Sequence, residues 1–315
     1  MARFIARRLA LMLVTLVLVS VLVFALAEIV PGDVGRTILG PFATAEHVHE
    51  LDHELGVDRP LPVRYADWIS GFLTGDWGES PVLQREVRPL VFERLGSSLQ
   101  LALVALIIIV PLSVGLGVLA GLKEGRLLDR TISIVGLSLT AIPEFVSGVI
   151  LLVAFGVALN WFPVISQIPA GTGFLERIHR LVLPSIPLMF VLFGYIARMA
   201  RAGTIDALES AYVRTAVLKG LPWRHVVARH VLRNSLLPTI TVVGTQIGWL
   251  VGGLVVIETL FSYPGIGKLM YDSAKAHDVP MLEATVLLVG FIYMLSNFAA
   301  DLLYGLLNPR IRYAT

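Results

Sequence analysis

The sequence predicts an all-α, polytopic membrane protein with six transmembrane helices and an extracytoplasmic insertion after the first. Three observations carry this. Of 315 residues, 56% are hydrophobic and only 15% charged, against about a quarter charged in soluble domains. Mean hydropathy is +0.79. Runs with no charge, or one, recur at the length a membrane span needs, about 20 residues for a hydrocarbon core of about 30 Å. An open sheet facing lipid would leave backbone groups unpaired, so the spans are helices. The same composition excludes disorder, collagen and coiled coil. With no cysteine, disulfides, thiolate zinc, iron–sulfur clusters and a cysteine nucleophile are excluded.

The elements follow in chain order. Residues 1–30 form an N-terminal tail and the first helix, with the charge-free run 9–27 behind Arg3, Arg7 and Arg8. A cleaved signal peptide is the alternative for this stretch. The run is long for a signal core, however, and five further spans need an N-terminus to orient them. The other spans are 95–122, 131–159 (interrupted by Glu144), 181–197, 234–257 and 284–307 (interrupted by Asp301). Six is even, so both termini share a side. Segments 1–8, 123–130, 198–233 and 308–315 hold 15 Lys and Arg, while 31–94, 160–180 and 258–283 hold 10 in nearly twice the length. The positive-inside rule puts the first set, and both termini, in the cytoplasm.

Segment 31–94 is an acidic extracytoplasmic subdomain. Thr44 can cap a short helix running to residue 55 with Gly56 as its stop, and 61–72 reads as an amphipathic helix. His49-Glu50-Leu51-Asp52-His53 formally matches H-E-x-x-H, two His on one helix face beside a Glu base. A membrane metalloprotease is the reading this motif raises. The helix is short and charged, Asp52 sits inside the motif, and no third ligand follows nearby. A solvated helix is the better account, and no metal is expected.

Segment 198–233 is the longest cytoplasmic loop. Thr204 can cap a helix over 205–219, on which Ile205, Leu208, Tyr212, Ala216 and Lys219 recur at helical spacing. Gly220 ends it, and Pro222 starts a basic helix carrying Arg224, Arg229 and Arg233. A helix pair touching anionic headgroups and a docking element for a soluble partner both fit that pattern. A helix-turn-helix reader of DNA is a remote third option, since a 36-residue loop pinned to a bilayer has little reach.

Ionisable groups within spans are costly and mark functional positions. Glu144 follows Pro143, which frees a carbonyl and can kink the third span. Glu144 is therefore a candidate for the translocation path, with Gln246 and Asn297 as uncharged polar candidates. Glu28 and Asp301 lie near span ends. Gly244, Gly248 and Gly252 form a flat face on the fifth span that permits close helix packing, against this chain or a partner. Gly115, Gly117 and Gly121 do the same in the second. There is no G-x-x-x-x-G-K-[ST], so any nucleotide energy must come from another chain.

Several blocks resemble the permeases of bacterial dipeptide/oligopeptide/nickel ABC importers. Leu55-Gly56-Val57-Asp58-Arg59-Pro60-Leu61-Pro62-Val63 and Gly75-Asp76-Trp77-Gly78 resemble their external segment. The run from Tyr212 to Leu221, with Arg214, Ala216, Lys219 and Gly220, resembles their cytoplasmic coupling loop. Arg229-His230-Val231-Leu232-Arg233-Asn234-Ser235-Leu236-Leu237-Pro238 is similar to the entry into their fifth span. Glu258-Thr259-Leu260-Phe261-Ser262-Tyr263-Pro264-Gly265-Ile266-Gly267 and Asp301-Leu302-Leu303-Tyr304-Gly305-Leu306-Leu307-Asn308-Pro309-Arg310 resemble the segments that follow. These blocks stand in order over essentially the whole chain. The wider importer loop reads E-A-A-x-x-x-G-x9-I-x-L-P. Here Arg214 and Thr215 replace its first two positions, so no salt bridge from that missing Glu is carried over.

The resemblance implies a type I ABC importer transmembrane-domain fold, with a five-helix core over 95–315. It implies an inner-membrane permease for peptides, the first of a homologous pair. Nickel, glutathione and sugars are the cargo alternatives. Implied partners are a second permease, two ATPase subunits that hold ATP and Mg, a solute-binding protein and the bilayer. No enzyme activity or cofactor is implied for this chain. Ile205, Leu208, Glu209, Tyr212, Arg214, Ala216, Lys219, Gly220 and Leu221 would meet an ATPase. Outside the family, a proton-coupled secondary transporter using Glu144 or Asp301 is the competing reading.

Overall fold

The computed structural model describes residues 2–29, 42–54, 59–169 and 171–307. The chain begins with α1 (Ala2–Ile29), α2 (Ala45–Glu54) and α3 (Leu61–Thr74). A small antiparallel hairpin of β1 (Glu79–Ser80) and β2 (Arg85–Glu86) leads into α4 (Val87–Leu122). Then come α5 (Leu127–Ala141) and α6 (Glu144–Leu151), which continues as π-helix over Leu152–Ala158. The long α7 (Phe174–Leu208) is followed by α8 (Ala211–Leu218) and α9 (Trp223–His225). After a π-helical stretch Val226–Val231 come α10 (Leu232–Ser235), α11 (Leu237–Gly253) and α12 (Val255–Leu260). The chain closes with α13 (Ile266–Ala276) and α14 (Val279–Leu307).

Among the described residues, α4, α7, Ile5–Glu28 of α1 and Val279–Leu303 of α14 are long and apolar enough to cross a membrane as single rods. The third predicted span is not one kinked helix. Its halves, α5 and α6 with its π extension, meet at 97°. Pro143 supplies no N–H, and Ile142 before it is extended at φ −79°, ψ 122°, the conformation a following proline favours. The fifth is pieced together from α10, α11 and α12.

The core forms where α4 and α7 pack along their length. Leu101, Ala105 and Ile109 of α4 meet Leu188, Leu192 and Ile196 of α7, joined by Leu250, Leu254 and Ile257. In lipid the gain comes from close packing more than from water exclusion, which favours small residues at crossings. Gly117 of α4 fits that need: a Cβ there would lie 2.9 Å from Ala200 Cβ. Gly244 and Gly248 turn the flat face of α11 toward α14 of the same chain, against Ala300 and Ser296. The packing around Gly252 falls outside the described residues.

The described parts of the two sets of polar segments separated by charge collect at opposite ends of the bundle. At one end α13 and the starts of α4 and α14 share a cluster of Val87, Leu90, Val91, Ile266, Leu269 and Met281, with Phe72 of α3 packed against it. Asp278 caps α14 there through the Met281 N–H and accepts the Ser80 hydroxyl. Burial pushes its carboxyl above the ordinary range, and those two bonds pull it back. Glu258 of α12 is fully buried. Its carboxylate accepts the Ser98 hydroxyl, the Lys268 N–H at 2.9 Å and the Gly267 N–H. Ser98 Oγ in turn accepts the Ile266 N–H at 2.8 Å. The three orphan N–H groups of the first turn of α13 are therefore all satisfied. Rings of Phe24, Tyr65, Trp68, Phe72, Trp77 and Phe92 run in unbroken contact from α1 along α3 to α4. At the other end Arg8 pairs with Asp301, and Arg201 with Asp129.

Candidate coupling site

The element 211–221 is built by two local stops. A single helix over 205–219 does not form. Instead α7 runs straight through Thr204, whose buried hydroxyl donates to the Ala200 carbonyl at 2.7 Å, so Thr204 caps nothing. The break comes at Glu209-Ser210. Ser210 is extended at ψ 147°, and its hydroxyl turns back to the Ala207 carbonyl. A serine that bonds the backbone behind it competes with helix continuation. At the other end of α8, Gly220 lies at φ +73°. Its N–H donates to the Val217 carbonyl at 2.9 Å, and the Leu221 N–H reaches the Ala216 carbonyl at 3.4 Å. This is the paired closure of a Schellman cap, which needs a left-handed residue at that position.

The short hairpin has a dry side and a free side. Val213 and Ala216 are buried against Ala207, Val226 and Val231. Tyr212, Leu218, Leu221 and Trp223 are exposed, Leu218 by 81%. Arg214, Lys219 and Glu209 are exposed with them, while Ile205 and Leu208 are half-buried at the end of α7. The expected stripe through Ile205, Leu208 and Ala216 is thus corrected, because the break at residue 210 rotates α8 relative to α7. The free stripe is Tyr212, Thr215 and Leu218, three residues apart on one face, with the exposed cap residue Lys219 beside it. Leu218 and Trp223 were missed. The available signal was two large apolar side chains flanking a Gly-Leu-Pro turn.

The path candidates stand on three different helices, α6, α11 and α14. Glu144 opens α6, and its Oε2 is buried with no hydrogen-bond partner. Gln246 lies two residues from Gly244, roughly 200° around α11 from the face on α14. Asn297 donates to its own helix at Tyr293 O and lines a groove between α14 and α1 with Arg8, Thr15 and Asp301. Asp301 itself is held by Arg8 at 2.9 Å. Asp301→Asn is expected to leave transport within about fivefold, since an ion pair this exposed contributes about 0–1 kcal/mol. An uptake assay in vesicles checks it. His47, His49 and His53 are exposed on α2, where the Thr44 hydroxyl does accept the His47 N–H at 3.4 Å. The side chains of Glu50 and Asp52 fall outside the described residues. Among the described residues, no group of three His, Asp or Glu converges on a metal-sized site.

Residues 113–313 match the binding-protein-dependent transport system inner membrane component, and residues 1–82 match the N-terminal part of such membrane components. The chain belongs to this family. It is an inner-membrane permease of the ABC importer class, with the type I membrane-domain fold. This permease is 38% identical to the di/tripeptide transport system permease protein DppB of Pseudomonas aeruginosa, with 99% of each chain covered. It is 35% identical to the probable peptide ABC transporter permease protein y4tP of Sinorhizobium fredii, over 99% of this chain and all of that one. The glutathione transport system permease protein GsiC of Escherichia coli is 34% identical over the same shares. Importers of this family work as assemblies in which separate subunits hydrolyse ATP.

Proposed function

We propose that this permease forms, with a second homologous permease, the path for peptides handed over by a solute-binding protein. Both termini and α8 then face the cytoplasm, and two ATPase subunits drive the cycle. The Gly220 hairpin carries this reading: a rigid, apolar-tipped helix fixed to the end of α7. A groove on an ATPase would receive Tyr212, Leu218 and Lys219, with Leu221 and Trp223 at its rim. ATP binding closes the ATPases, the held helix moves as a body, and α7 carries the displacement into the bundle. Peptide cargo is supported by the relatives named for di/tripeptides and peptides. Glutathione, the cargo named for GsiC, is itself a small peptide.

The test is purification of the tagged permease with its partners. Leu218→Asp should cut ATPase recovery at least about tenfold, the effect of losing about 1.4 kcal/mol from a small interface. Unchanged recovery would remove this face from the contact. Glu144→Gln should lower peptide import while ATPase recovery stays at wild-type level, because the residue lies on α6 away from the hairpin. Import at the wild-type rate would take Glu144 out of the path.

A further inference from the structure

We propose that Asp129 and Arg201 are positioning residues that link movement of α8 to α5 and, at the far end of α5, to Glu144. This rests on the coupling role of α8. Asp129 stands on the first turn of α5 and is 3% exposed. Arg201 Nε donates to its Oδ1 at 2.5 Å and Arg201 Nη2 to its Oδ2 at 2.9 Å. The Gly125 N–H donates to Oδ2 at 2.9 Å. A two-pronged guanidinium–carboxylate pair fixes orientation as well as distance. Among the described residues, it is the only ion pair that ties α5 to another element.

The surroundings make it a junction. On the same stretch of α7, Gly121 at the end of α4 sits against Thr204, where a Cβ would come within 2.7 Å of the Thr204 Cβ. Gly203 seats on the Ser235 carbonyl of α10. The end of α4, the start of α5 and the start of the fifth span therefore meet α7 about two turns before Ser210. With its carboxylate buried, the fork cannot shift without losing its bonds. Because α5 ends at the 97° bend, Asp129 holds one end of a rod whose other end aims Glu144.

The test uses the assembled importer with its binding protein in vesicles, measuring peptide imported and ATP hydrolysed together. Asp129→Asn keeps shape and removes charge. ATPase recovery should stay at wild-type level, while ATP consumed per peptide rises about fivefold or more, the lower end of ordinary coupling energies. Arg201→Lys keeps charge and removes the fork, so it should raise the ratio too. The double variant Asp129→Asn/Arg201→Gln should be no worse than either single change, since one link is broken once. A merely structural role would lower import and hydrolysis together at constant ratio, and that result overturns the proposal, as does a wild-type ratio in the two single variants. Failure of the coupling reading itself shows separately, as ATPases retained by Gly220→Val.

Discussion

Gly220→Val is expected to strip the ATPases from the permease while leaving the permease itself in the membrane. Nothing lies within 4 Å of a Cβ built at Gly220, so the effect acts through the backbone alone. At φ +73° an L-residue meets a penalty of about 1–2 kcal/mol, and a β-branched one is the worst case. Relaxing φ opens the Schellman cap, releases the Val217 and Ala216 carbonyls, and swings Leu221 and Trp223 off the end of α8. A loss of about 1–2 kcal/mol corresponds to roughly 5–30-fold less of the docking conformation. Gly220→Asn separates backbone from bulk, because asparagine tolerates the left-handed region. It should recover most of the ATPase content at equal permease abundance. Equal recovery with valine, asparagine and glycine would mean the ATPases grip elsewhere.

Glu258→Ala and Gly265→Ala are each expected to destabilise the end of the bundle that holds α13, and together to do less harm than their sum. Glu258→Ala leaves the Gly267 and Lys268 N–H groups and the Ser98 hydroxyl without their acceptor. At about 1–3 kcal/mol for each buried orphan, a loss of about 3 kcal/mol is the low estimate. Gly265→Ala fails for a different reason. Its backbone is extended, at φ −96° and ψ 179°, so no strain arises there. A Cβ would instead overlap the Glu258 carboxylate. Removing that carboxylate makes the room a methyl needs. In the Glu258→Ala background, Gly265→Ala should therefore cost under about 1 kcal/mol, giving a favourable coupling term in the double-mutant cycle. Thermal unfolding in detergent, paired with protease sensitivity of 262–278, reads both. Additive losses would show that the glycine is not there to admit the carboxylate.

The long apolar rods and the Gly220 stop were legible in the sequence because each rests on composition or one residue's backbone preference. The flat face of Gly244 and Gly248 was equally legible as a face, but its partner was not, since spacing carries no address. The failures have a common cause. The break at Ser210 depends on a hydroxyl choosing the Ala207 carbonyl over its own helix, a competition that apolar periodicity does not register. The bend at Pro143 was foreseen as a kink, and its size depends on how α6 packs into the bundle beside Leu260 and Ile257. Asp129 and Arg201 are 72 positions apart, so each reads alone as one more loop charge. Glu258 stood inside a recognised block, yet only the folded chain shows it knotting two glycines to a helix start.

The ring row from Phe24 to Phe92 bears on how this subunit can move. Indole and phenol groups are most comfortable at the boundary between hydrocarbon and headgroups. Three of the rings in this row, Tyr65, Trp68 and Trp77, are of that kind, and because the row is in continuous contact they move together with the end of the bundle that carries them. With those three rings at the boundary, travel of the subunit along the membrane normal would be opposed more than a tilt about the row.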